Sequence, residues 1–286
     1  SEFASLMMTF AVFGAGFLMR PIGAIVLGAY IDKVGRRKGL IVTLSIMAAG
    51  TFLIVLIPSY QSIGLWAPLL VLTGRLLQGF SAGAELGGVS VYLAEIATPG
   101  RKGFYTSWQS GSQQVAIMVA AAMGFALNAV LEESAIREWG WRIPFLLSSV
   151  LVLLGLWIRK DIDETPDFQR VKASGQVAKA PLRDTLKHHW REVLIAAGLK
   201  VVETAPFYIF STFVVSYATS TLTYQKSQAL EAVTLGALVA TIMIPLMGLL
   251  SDKVGRQRMY AISVFVLGLF IVPWFMLLNT GTTWGI

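Results

Sequence analysis

A chain of 286 residues that is 55% hydrophobic and only 14% charged, with a mean hydropathy of +0.67, lacks the solvated surface of a water-soluble domain, where about a quarter of residues are charged. The absence of cysteine excludes a disulfide framework, a thiolate metal site and a cysteine nucleophile. A net charge of +7 would suit a nucleic-acid partner, but the placement of the charges along the chain argues against one.

A bilayer-crossing helix needs about 20 mostly apolar residues, and eight stretches qualify. The first, 7–31, is thinned by Gly14, Gly16, Gly23 and Gly28 and carries Arg20 beside Pro21 near its middle. Small residues permit close helix approach, and a proline there is expected to bend the helix. The second is 39–57. The third, 67–94, carries Arg75, Gln78 and Glu85, the two charges lying ten residues and about 15 Å apart along the axis. The fourth, 104–131, opens with Ser107, Gln109, Ser110, Ser112, Gln113 and Gln114. So many polar groups must face protein or water, since lipid cannot satisfy them. The fifth, 143–158, is short, but Trp139, Trp141 and Trp157 bracket it as interfacial anchors.

A polar stretch, 159–192, follows and reads as a cytoplasmic linker with a short amphipathic helix around 182–190. His188 and His189 sit in it as part of a solvated basic loop, not a metal site. The sixth span, 193–219, holds Lys200 and Glu203 three residues apart on one face. Pro206 is expected to interrupt it beside Tyr208, and a broken helix at mid-membrane points to a binding site. The seventh and eighth spans are 229–250 and 259–279.

One set of alternate gaps holds Lys33, Arg36, Arg37, Lys38, Arg101 and Lys102, the eight bases between Arg159 and Arg191, and Lys253, Arg256 and Arg258. The other set holds only Arg137, Arg142 and Lys226. The positive-inside rule puts the basic set in the cytoplasm and both chain ends outside. The basic excess is therefore topological, and no nucleic-acid partner is expected.

Gly28, Asp32, Lys33, Gly35, Arg36, Arg37 and Lys38 reappear 220 residues later as Gly248, Asp252, Lys253, Gly255, Arg256, Gln257 and Arg258. Two copies in register after a span fit a transporter built from parallel repeats. This loop resembles the signature of the major facilitator superfamily between its second and third helices, and the weaker copy resembles the counterpart between helices eight and nine. Phe17 to Gly23, Gly74 to Gly88 and Trp139 to Phe145 are similar to the metabolite:proton symporter family within it. That family includes carriers of citrate, α-ketoglutarate, shikimate and proline or betaine. Tyr92 to Ser110 is most similar to its citrate and tricarboxylate members.

The resemblance implies an all-α polytopic membrane protein with this superfamily's fold, of whose twelve helices the spans match two to nine. It implies an N-terminal transmembrane domain at 1–160, a linker at 161–191 and a partial C-terminal domain at 192–286. Helices one and ten to twelve would be wanting, so the chain alone is expected to be inactive. The whole protein is expected to be a monomeric, multi-pass carrier of a bacterial inner membrane, with no cofactor.

Ionisable groups inside a membrane are costly unless paired or hydrated, and so mark functional sites by default. Arg20 can clamp a substrate carboxylate bidentately or pack against another helix. The resemblance gives Arg75 a part in proton coupling; the alternative is hydrogen bonding to backbone carbonyls. Gln78, Gln109 and Gln113 can share a substrate cavity with it. Burial among Gly83, Gly87 and Gly88 favours the neutral form of Glu85, which could then alternate between protonated and ionised states as a proton carrier. The alternative is a glutamate that pairs and holds helices together. Lys200 can attract an anion while Glu203 tunes it and Tyr208 faces the same region, or Lys200 and Glu203 can simply neutralise each other.

The resemblance also makes the loops, with Asp32, Gly35, Arg36 and Arg37 in one and Asp252, Gly255 and Arg256 in the other, conformational latches. The first would meet helix eleven and the second the start of the helix at Phe104. Secondary symport of an organic anion such as citrate with protons, by alternating access, is the leading reading. Three intramembrane bases (Arg20, Arg75, Lys200) against two acids (Glu85, Glu203) favour an anion over a zwitterion such as betaine, which would want an aromatic cage. Enzyme, receptor and channel readings have less support. There is no phosphate loop or metal cluster, and Gly14-Ala15-Gly16 lies within an apolar helix as a packing feature.

Overall fold

The structure is a computed structural model that describes residues 2–175, 181–210, 217, 218, 222 and 226–280. Among the described residues all regular structure is helical. In chain order these are α1 (Glu2–Val34), α2 (Arg36–Val55), the single turn α3 (Tyr60–Ile63), α4 (Trp66–Ile96), α5 (Lys102–Val130) and α6 (Glu133–Ala135). A π-helical turn (Ile136–Gly140) leads into α7 (Arg142–Asp161), α8 (Pro166–Ala173), α9 (Pro181–His188) and α10 (Trp190–Tyr208). Finally come α11 (Lys226–Val254) and α12 (Arg256–Leu278). The chain forms two compact units, one of Ser1–Ile96 with Ala122–Asp184, the other of Ala97–Ala121 with Thr185–Ile286.

Among the described residues, six helices are long and apolar enough to cross a membrane: α1 from Gly14, α2, α5, α7, α11 from Glu231, and α12. They match six of the eight expected spans. The other two correspond to α4 and α10, which form but are more polar. At 31 residues, α4 is about 46 Å long. It carries Arg75, Glu85 and Glu95 because protein, not lipid, covers much of it, with α1 and α2 both packed against it. Arg191, Glu192, Lys200 and Glu203 dilute α10 in the same way.

The first unit is built inside out relative to a soluble domain. The buried positions of α4 are small ones, among them Gly74, Gly79, Ser81, Ala84 and Gly88. Large apolar side chains such as Leu18, Leu151, Leu154 and Trp157 stand at the surface. Where lipid covers the outside, burying large side chains gains little, and close backbone approach holds helices together instead. The contact of α1 with α4 is of that kind. A Cβ on Gly79 would overlap the carbonyl of Gly16, one on Gly83 the carbonyl of Arg20, and one on Gly23 the carbonyl of Phe80. The Ser81 hydroxyl donates to the Thr43 carbonyl at 2.5 Å, tying α4 to α2.

The repeated loops have matching backbones. One glycine in the left-handed half of conformational space separates each helix pair, Gly35 at φ 105° before α2 and Gly255 at φ 98° before α12. A side chain is strained at such a φ. At Gly35 a Cβ would also overlap the Glu164 carboxylate, whereas at Gly255 nothing lies within 4 Å. Gly255→Ala is therefore expected to cost about 1–2 kcal/mol. Gly35→Ala should cost about 1–3 kcal/mol more by displacing Glu164 from its hydrogen bonds. Thermal unfolding of the two variants in detergent checks the order, and equal shifts would contradict it.

Two expectations need correction. Pro206 does not break α10, which runs on through it and ends at Tyr208; a proline near a C-terminus disturbs only the turn before it. The remainder of that expected span falls mostly outside the described residues. Helix α1 is continuous through Pro21. The linker is more ordered than expected, since α8 precedes the anticipated amphipathic helix, α9. Thr165 caps α8, its hydroxyl accepting from the Phe168 amide at 3.4 Å, and Pro166 takes the first helical position.

Candidate functional site

The charges of α4 fall at ten-residue intervals, and each is met by a different part of the first unit. At Arg75 the guanidinium donates to the Gln78 side chain at 3.2 Å, and Gln78 in turn donates to the buried Thr51 hydroxyl at 3.0 Å. The Phe145 ring of α7 lies 6.0 Å from the Arg75 guanidinium carbon. Arg75 and Gln78 thus share a surface, as their spacing predicted. This half-buried row of a cation, an amide and a hydroxyl can take an anionic, hydrogen-bonding solute.

Ten residues on, Glu85 is paired, as in the second alternative of the sequence reading. Arg159, in the last turn of α7, pairs with it at 2.5 Å, and both side chains are about four-fifths buried (relative exposure 18% and 21%). The other arm of Arg159 donates to the Leu40 carbonyl of α2 at 2.6 Å. One guanidinium thereby joins α2, α4 and α7. No specific signal marks this residue, because Arg159-Lys160 reads as ordinary positive charge after a span.

At the end of α4, Glu95 meets Arg36 at 3.5 Å, and Arg36 also pairs with Asp32 at 2.5 Å. Glu164 closes this cluster. Its carboxylate accepts from the backbone amides of Arg36 (2.8 Å) and Arg37 (3.2 Å), satisfying N–H groups that no side chain of α2 itself caps. The Arg37 side chain donates to the Lys160 carbonyl. Beside the cluster a cavity of about 200 Å³ is lined by Gly28, Asp32, Arg36, Gly83, Gly87 and Val91 among others.

The second loop sits differently. Asp252 accepts from the amides of Gly103 at 2.7 Å and Phe104 at 2.9 Å, capping the start of α5, with Arg256 at 3.5 Å from the same carboxylate. Gly103 and Gly248 make this possible, since a Cβ on either would come within 2.8 Å of the other's carbonyl. Gly28, the counterpart of Gly248, has nothing within 4 Å. The two loops thus share a backbone but differ in their surroundings, one bordering the cavity and the other filled by α5.

Other singled-out residues are more dispersed. Arg20 is exposed, its guanidinium carbon 4.0 Å from the Phe17 ring centre. In the second unit Lys200 pairs with Glu203 at 2.9 Å, the neutralising alternative of the sequence reading, with both side chains more than half exposed. Gln109 is half-buried and Gln113 exposed on α5, and Tyr208 is exposed at the end of α10. Arg142, read in the sequence as part of a motif and as a base of the less basic gaps, donates to the carbonyls of Val55 at 3.2 Å and Ile57 at 2.7 Å, binding the end of α2 to the start of α7.

Long apolar helices around a polar, charge-bearing α4 define a multi-pass helical membrane protein. The Major Facilitator Superfamily model matches residues 1–286, and the chain belongs to that family. It is 64% identical over 257 residues to the citrate-proton symporter of Klebsiella pneumoniae, covering 90% of this chain and 57% of that protein. It is 53% identical to the citrate-proton symporter of Salmonella typhi, covering 90% and 59%. The α-ketoglutarate permease of Escherichia coli K12 is 38% identical, with 94% and 61% covered. The chain spans about three-fifths of the length of these relatives. Among solved structures, the proton:xylose symporter XylE bound to 6-bromo-6-deoxy-D-glucose has a TM-score of 0.66 at 17% identity, over 90% of this chain and 62% of XylE. At that identity the likeness concerns the fold alone.

Proposed function

We propose that the whole protein carrying this chain is a secondary active transporter that moves citrate, or a related di- or tricarboxylate, together with protons by alternating access. The observation that carries this reading is the 64% identity, over nine-tenths of the chain, to a protein named a citrate-proton symporter. Arg75 with Gln78 supplies a positively charged, hydrogen-bonding surface suited to a carboxylate. Arg20, Gln109, Gln113, Lys200 and Tyr208 are further candidates for contact with the solute. Glu85 is the group proposed to exchange the proton, with Arg75 and Glu203 assisting. Protonation would end its pairing with Arg159, so proton uptake and the grip of α7 on α2 and α4 would be linked.

The excess of bases in the loops supports a cytoplasmic position for Arg36, Arg37, Arg256 and the linker 161–191 in a bacterial cell, between proposed transmembrane domains at 1–160 and 192–286. Asp32, Gly35, Arg36 and Arg37 on one side, and Asp252, Gly255 and Arg256 on the other, serve as latches. The cap that Asp252 places on α5 supports the second latch. The cavity beside Gly28 and Asp32 has room for a side chain of a further helix at the first.

Counterflow in proteoliposomes of the whole transporter, with citrate, α-ketoglutarate, shikimate and betaine compared at two pH values, tests the reading. Citrate should exchange fastest, and its uptake should follow an imposed proton gradient. Uptake indifferent to that gradient would overturn symport. For the latch, Asp252→Ala should lower citrate uptake about tenfold, corresponding to the ~1.4 kcal/mol expected for one lost charged cap. Citrate binding should change little, and equal losses in uptake and binding would remove the latch.

A further inference from the structure

The short helix α9 carries an exposed apolar stripe that neither the fold nor the transport reading uses. Leu182 and Leu186 are one turn apart, and Trp190 follows at the same four-residue spacing beyond the His189 junction. They are 39%, 55% and 50% exposed. At 100° per residue Arg183 and Lys187 flank the two leucines on one side, while Asp184 lies on the opposite face of the helix. Arg191 lies beyond the His189 junction, its guanidinium carbon 5.5 Å from the Trp190 ring centre. A narrow apolar stripe edged by bases whose stems can lie along it is the pattern of a helix at a bilayer surface.

Position along the chain points the same way. His189 is the one residue between α9 and α10, its amide making the last bond of α9, to the Thr185 carbonyl at 2.8 Å, and its carbonyl accepting the first bond of α10, from Val193 at 3.0 Å. Helix α9, about 12 Å long, thus directly precedes a longer helix in a membrane protein, and tryptophan and basic residues next to such helices collect at the bilayer surface.

We propose that α9 is a surface anchor. Leu182, Leu186 and Trp190 enter the headgroup–acyl boundary, and Arg183, Lys187 and Arg191 bind the phosphate groups of anionic phospholipids. The acid on the far face keeps the helix from lying the other way up. Anionic lipid would then fix where the linker joins α10.

A single fluorophore tests this in the whole transporter. This chain has no cysteine, so with any cysteine elsewhere replaced, Leu186→Cys carries an environment-sensitive NBD label and Ser174→Cys, exposed at the end of α8, carries the control. The protein is reconstituted in phosphatidylcholine vesicles with and without phosphatidylglycerol, and quenching by spin-labelled lipid is read. The label at 186 should shift to the blue and be quenched from the interface only with phosphatidylglycerol, and the control should stay in water. Arg183→Gln and Lys187→Gln should each lower the inserted-to-free ratio about fivefold, and high salt should do the same by screening. A label in water in both vesicles would overturn the proposal. So would a shift that ignores phosphatidylglycerol and both glutamine variants, which would place the helix on protein.

Discussion

Gly79→Val is expected to disrupt the first unit, while Gly87→Ala, eight residues along the same helix, leaves it intact. The contrast follows from what stands opposite each position. At Gly79 a side chain would enter the space of the Gly16 carbonyl, and backbone in a helix cannot turn aside as a side-chain tip can. The only relief is to push α1 and α4 apart. That would also open the neighbouring approaches of Gly83 to Arg20 and of Gly23 to Phe80. Overpacking of this kind costs about 1–3 kcal/mol where neighbours can yield, so about 3 kcal/mol or more is expected here. At Gly87 nothing lies within 4 Å, and alanine is the better helix former by about 0.5–1 kcal/mol. The monodisperse fraction after heating in detergent measures both. If Gly79→Val survived heating like the parent, close backbone approach would not be what holds α1 to α4.

The glycines were visible in the sequence, but their partners were not. Gly14 and Gly16 look equivalent there, two residues apart in one apolar run. In the structure a Cβ added to Gly16 would stand 3.2 Å from the Arg75 carbonyl, whereas one added to Gly14 would meet nothing within 4 Å. Spans were legible because apolarity is a property of each segment alone, and they were legible best where lipid covers the helix. On α4 the same signal weakened, because a helix covered by protein need not be apolar. The repeated loops were legible for a local reason too: a glycine at positive φ and an aspartate four residues before an arginine are short-range patterns.

Long-range pairings were not. Glu164 caps α2 across more than 120 residues, yet in the sequence it is one acid among six in the polar stretch 159–192. Arg159 reaches Glu85 across 74 residues, and nothing local distinguishes it from Lys160 beside it. What reasoning from segments missed was therefore the set of partners that decides whether a buried charge is isolated or neutralised.

Arg159→Met tests the most consequential of those pairings. Removing the guanidinium leaves the Glu85 carboxylate, about four-fifths buried, without its partner, and breaking such a pair costs about 3–5 kcal/mol. Glu85→Gln should cost less, because Arg159 keeps its hydrogen bond to the Leu40 carbonyl and still ties α7 to α2. In the double variant no charge is stranded, so its destabilisation should fall short of the sum of the two by about 1–3 kcal/mol. Unfolding in detergent gives all three values, and strict additivity would mean that the pair carries no net coupling. Transport separates structure from mechanism. With the proton-exchanging role proposed for Glu85, Glu85→Gln should retain citrate counterflow yet lose accumulation driven by a proton gradient. A variant that still accumulated citrate against that requirement would assign the proton to another group and leave Glu85 with Arg159 as a joint between three helices.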